Sequence, residues 1–110
     1  MSLTGIIEAT TEEGDSVLLR MRNLGAWFTD QAIVMVGDRV KFVDRGISTV
    51  FVVTRVEHRL TKPLKSGLKP TTVIFMAPIN EDHGQVIMLG YEEVRKLADV
   101  GFVNILQAPA

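Results

Sequence analysis

The side chains able to do chemistry are few and badly spaced for it. Two histidines are present, His58 and His83, and cysteine is absent. His58 stands between Glu57 and Arg59 at the end of a β-branched run. That is the setting of a strand histidine at a sheet rim rather than of a general base. His83 closes Glu81-Asp82-His83, three metal-ligand types in a row. Neighbouring loop residues seldom converge on one ion, and no second ligand set at metal spacing joins them. A solvated acidic turn is the plainer reading, and no metal is assigned. Glu12-Glu13 and Glu92-Glu93 are explained as a turn and a helix start without acid–base work. Ser2, Ser16, Ser48 and Ser66 lie outside any nucleophile-elbow pattern, and Gly90 lacks the partners of a phosphate loop. No catalytic residue and no cofactor is assigned, and an enzyme is not expected.

Binding leaves a stronger trace. Arg55, Arg59, Lys62, Lys65 and Lys69 fall in one stretch opposed only by Glu57. They are the candidate binding residues, serving a contact arm or an anionic partner such as a phosphate backbone. The stretch contains no aromatic on which bases would stack. Trp27-Phe28, set beside Thr29-Asp30, is a candidate pair of interface aromatics; the alternative is a plug at a barrel end.

The elements that must position these residues are mainly strands. Leu3 to Thr11 and Ser16 to Asn23 form a hairpin about Glu12-Glu13-Gly14-Asp15. In its second strand Val17, Leu19 and Met21 share a face opposite Arg20 and Arg22. The stretch from Leu24 to Gly37 is ambiguous between helix and strand; the composition of Ile33 to Val36 favours strand. Gly37-Asp38 turns into Arg39 to Asp44, Arg45-Gly46 turns again, and Ile47 to Leu60 is the strongest strand. A basic loop, Thr61 to Pro70, leads to a return strand, Thr71 to Ala77. After a polar loop from Pro78 to Gly84, Gln85 to Leu89 reads as a short strand. Tyr91 to Asp99 has helical spacing at Tyr91, Val94, Leu97 and Ala98, with Gly101 as its C-terminal cap. Phe102 to Leu106 closes as a strand. The fold class is mainly β: a small barrel or β-rich sandwich of six or seven strands with one short helix near the C-terminus.

At 110 residues, with no repeat or linker, the chain reads as a single domain over 1–110. The N-terminus has no signal-peptide pattern, and the longest apolar runs are too short to span a bilayer. A soluble cytoplasmic or virion-associated protein with no membrane partner is expected. Hydrophobic residues make up 46%, about 54% with the nine glycines, against roughly 45–50% in ordinary domains. Surplus apolar surface of this kind is commonly hidden in a symmetric interface, so a homo-oligomer is expected. Charge is sorted along the chain. Residues 20–69 carry ten Lys/Arg against four acids, a net +6, while the two ends together carry net −7. Opposite signs of that kind suit either an anionic partner or a neighbouring copy.

Gly37-Asp38-Arg39-Val40-Lys41-Phe42, Gly46, the run Val52 to His58 and Thr71-Thr72-Val73-Ile74-Phe75 together resemble β-barrel modules of tailed-phage baseplate-hub and head–tail joining proteins. The likeness leaves both ends of the chain unmatched. It implies a ring-forming structural part whose long loop reaches a neighbour, and it carries no catalytic residue across. Two functions therefore stand: a self-associating, non-enzymatic assembly module, with other structural proteins as further partners, or a small nucleic-acid-binding barrel that uses the basic stretch.

Overall fold

The computed structural model describes residues 2–21, 34–44, 47–61, 69–99 and 101–105. Among them run six strands and one helix: β1 (Ser2–Thr10), β2 (Ser16–Met21), β3 (Arg39–Asp44), β4 (Ile47–Thr61), β5 (Lys69–Ile79), α1 (Tyr91–Asp99) and β6 (Phe102–Asn104). They form one sheet in the order β3-β4-β5-β1-β2-β6, curled into a half-barrel. The β1–β5 pair is parallel and the other pairs are antiparallel. The mainly β class with a short helix near the C-terminus is thus the observed one.

Alternation of side chains along each strand sends one set to the concave face. Ile7, Leu19, Met21, Phe51, Val53, Ile74 and Met76 meet there in one buried cluster. Phe42 from β3 and Phe102 from β6 touch edge to face, with ring centroids 5.5 Å apart. The two outer strands therefore approach through side chains, with no backbone ladder between them among the described residues. Helix α1 adds buried Leu97 and half-buried Val94 to the same cluster. Glu92 and Glu93 lie in its first turn and Lys96 in its last, matching the helix dipole. Gly101, at φ +111°, donates its N–H to the Ala98 carbonyl at 3.1 Å and stops the helix as expected.

Several expectations are corrected. Val34, Met35 and Val36 are not strand; Ile33 lies outside the described residues. Asp38 accepts the Met35 N–H at 2.9 Å and returns its own N–H to the Met35 carbonyl at 3.1 Å. Gly37, at φ +95°, takes the third position of that turn, so a local Asp-closed type II turn overrides β propensity. Thr61, Lys69 and Pro70 are not loop: Thr61 pairs with Lys69 and Leu60 with Pro70, extending β4 and β5 into a ribbon. Pro78 and Ile79 likewise belong to β5. Gln85 to Leu89 is not a strand but carries two isolated bridges, Ile79↔Val86 and Thr11↔Leu89. The segment crosses from the end of β5 to the end of β1, changing partner midway, and so continues neither ladder. Tyr91 and Ala98 are exposed, because α1 docks through Val94 and Leu97 alone. The last strand ends at Asn104, with a bend at Ile105, and Leu106 lies outside the described residues.

Candidate binding surface

Two of the candidate binding residues, Arg55 and Arg59, lie on the convex face of the sheet, and one extra residue in β4 puts them there. Before Thr54, odd positions of β4 point inward: Phe51 and Val53 are core. Unbroken alternation would send Arg55, Glu57 and Arg59 into the core as well. The register instead shifts between Val53, which faces Met76, and Arg55, which faces Phe75. Thr54 is the bulged residue, and its hydroxyl donates to the Phe75 carbonyl at 3.2 Å. Beyond it Val56 packs on the concave cluster, while Arg55, Glu57 and Arg59 turn outward.

Strand pairing then builds a cross-sheet row: Arg55 beside Phe75, Phe75 beside Ile6, Ile6 beside Arg20, Arg20 beside Val103. Phe75, Ile6 and Val73 form a second apolar cluster with Leu18 packed against it. The Arg55 guanidinium carbon lies 3.9 Å from the Phe75 ring centroid, and that of Arg59 lies 6.0 Å away. This is cation–π contact, and Arg55 remains exposed to solvent while making it. Arg59 pairs with Glu57 at 2.6 Å. Arg55 meets no carboxylate among the described residues, and the Arg20 Nε is buried without a hydrogen-bond partner.

Of the sequence-assigned binding residues, Arg55 and Arg59 thus share one face and one aromatic. Lys69 stands in β5 opposite Thr61, at the far end of the same ribbon. Lys62 and Lys65 lie outside the described residues, as do Trp27 and Phe28. Phe75 and Arg20 went unassigned in the sequence, because pairing partners from other strands are not adjacent in the chain. One signal was available: inward apolar positions pass from odd (Phe51, Val53) to even (Val56), the mark of a bulge.

Acidic residues predominate at the other end, where Lys41 pairs with Glu81 and Arg95 with Glu92. β1 runs from Ser2, beside Thr71, to Thr10, and the turn that follows holds Glu12, Glu13 and Asp15. The Glu12 N–H donates to the Leu89 carbonyl at 3.1 Å, and its carboxylate lies over Gly90 at the start of α1. The turn therefore adjoins Glu92 and Glu93, and all five carboxylate residues are exposed. The ribbon end, with Arg59 and Lys69, and this acidic end lie at opposite ends of β1 and β5.

The remaining candidates have structural places. His58 shares a hydrogen bond with the Thr72 hydroxyl at 3.2 Å on the other side of the ribbon. Asn80 Oδ1 accepts the N–H groups of Asp82 and His83, closing a turn whose Glu81 pairs with Lys41 at 3.3 Å. Among the described residues no cluster of His, Asp and Glu has the arrangement of a metal site. No helix among them is long and apolar enough to cross a membrane. An open groove of about 330 Å³ lies between the paired ends of β1 and β2 (Glu8 to Thr10, Ser16 to Leu18) and Val86 to Met88. Comparison with protein-family models, with curated proteins and with solved structures finds no match.

Proposed function

We propose that this chain is a non-enzymatic assembly module that associates with copies of itself end to end. The observation that carries the reading is the separation of charge along the strand axis, with Arg59 and Lys69 at the ribbon end and Glu12, Glu13, Asp15, Glu92 and Glu93 at the other, where Arg95 offsets only Glu92. Head-to-tail contacts between such subunits bring opposite signs together, steer encounter, and close into a ring where the rotation allows. Exposed Val86, Met88, Val103 and Leu60 supply apolar surface for burial in such contacts. This is the role of a ring-forming part of a phage-like tail or neck, in agreement with the resemblance from Gly37 to Phe75. Sedimentation velocity at micromolar concentration tests it. Species larger than the 12.2 kDa chain, dissociating as salt rises, are expected; a monomer at every concentration and salt rules the reading out.

Nucleic-acid binding is the second reading, favoured by Arg55 and Arg59 on Phe75. Phe75, however, is 6% exposed, and Arg55 occupies the ring face that a base would need. Electrophoretic shift at low ionic strength tests it: binding that falls steeply with salt is expected if it holds.

A further inference from the structure

We infer that the convex arginine row receives the acidic turn of the next copy, so that Arg55, Arg59 and Arg20 of one subunit face Glu12, Glu13 and Asp15 of its neighbour. The inference rests on the assembly reading and names its interface. Three observations carry it. First, each surface carries charges that meet none of opposite sign among the described residues: Arg55 meets no carboxylate, while Arg59 is paired with Glu57, and Glu13, Asp15 and Glu93 meet no cation. Second, the arginines are organised in advance. Arg55 is seated over the Phe75 ring, and the Phe75, Ile6, Arg20 row fixes two further strand spacings, so the Arg55 and Arg20 backbone positions are set on the order of 14 Å apart on the same face. Third, the acidic turn is held in shape. The Thr11 N–H donates to the Asp15 carbonyl at 2.7 Å, the Asp15 N–H to the Thr11 hydroxyl at 3.0 Å, and the Gly14 N–H to the Thr11 carbonyl at 2.9 Å. A rigid anionic tip meeting a rigid, forked cationic face loses little freedom on contact. The two surfaces lie on different parts of the molecule, so the contact is heterologous and propagates from subunit to subunit.

Charge reversal tests this. Arg55→Glu/Arg59→Glu leaves both surfaces negative, and Glu12→Arg/Glu13→Arg/Asp15→Arg leaves both positive. Each variant alone is expected to sediment as a monomer, with association weakened at least ten-fold. An equimolar mixture is expected to assemble again, because each restores the other's missing sign. Arg55→Met, which keeps an apolar stem on Phe75, serves where the reversed arginine variant fails to fold, and it too is expected to weaken association. Reversed variants that assemble like the parent overturn this interface while leaving self-association standing. A parent chain that is monomeric at all salts overturns both. A parent monomer that binds a single-stranded oligonucleotide, with binding lost in Arg55→Met, assigns the arginine face to nucleic acid instead.

Discussion

The two faces of the sheet bury apolar side chains by different means. On the concave face Ile7, Leu19, Phe51, Ile74 and Met76 pack against one another and against Leu97 of α1. On the convex face Phe75 and Ile6 reach similar burial in a row flanked by arginines, with Arg55 lying on the Phe75 ring. The first arrangement is self-sufficient: apolar groups satisfy apolar groups, and what they contribute is stability. The second leaves charged edges facing outward from an apolar base, which is the composition of an interface centre. The contrast teaches that burial alone does not separate a closed apolar core from a face covered by charge; the chemistry of the covering residue does.

Deletions along β4 break the contrast most severely. Removing Val52 from the regular stretch inverts alternation on one side of the gap and drives either Phe51 or Val53 outward. Loss of cooperative unfolding by circular dichroism is expected. Removing Thr54 straightens the bulge yet keeps Val53 inward and Arg55 outward, so a folded protein weaker by only about 1–2 kcal/mol is expected, given the lost hydroxyl contact. Equal damage from the two deletions would contradict the bulge assignment.

Single substitutions follow in order. Phe51→Ala, at the centre of the concave cluster, is expected to cost about 3–5 kcal/mol in urea unfolding. Gly37→Ala puts a Cβ on a residue at φ +95° and is expected to cost about 1–2 kcal/mol, with no steric clash added. Arg55→Ala is expected to cost about 0.5–1 kcal/mol of stability, the scale of an exposed cation–π contact. A larger loss there would mean that the convex face is core after all.

How much of this was legible in the sequence follows from the range of each signal. Helix α1 and its Gly101 stop depend on residues within a few positions of one another, and both were readable, as were β1, β2 and the valine-rich β4. Val34 to Val36 misled because Asp38, two residues past the run, closes a turn through its side chain. Val86 and Leu89 misled because each has a different partner strand, which composition does not encode. For the candidate surface, Arg55 and Arg59 stood out as charges. Their seat on Phe75 depends on a pairing between positions about twenty residues apart and on a bulge. The opposition of charged ends was visible only as sorted blocks along the chain until the parallel β1–β5 pair gave it a direction.

The central claim is that copies meet end to end, and the absence of native cysteine makes it directly testable. Ser16→Cys marks the acidic end, on the strand that follows the turn, and Thr71→Cys marks the ribbon end beside Arg59. Under mild oxidation at micromolar concentration, the chain carrying both cysteines is expected to give a ladder of disulfide-linked oligomers. An equimolar mixture of the two single-cysteine chains is expected to give mixed dimers in excess of either like pair. A double variant that stays uncrosslinked, or single variants that pair with themselves as readily as with each other, would contradict head-to-tail assembly.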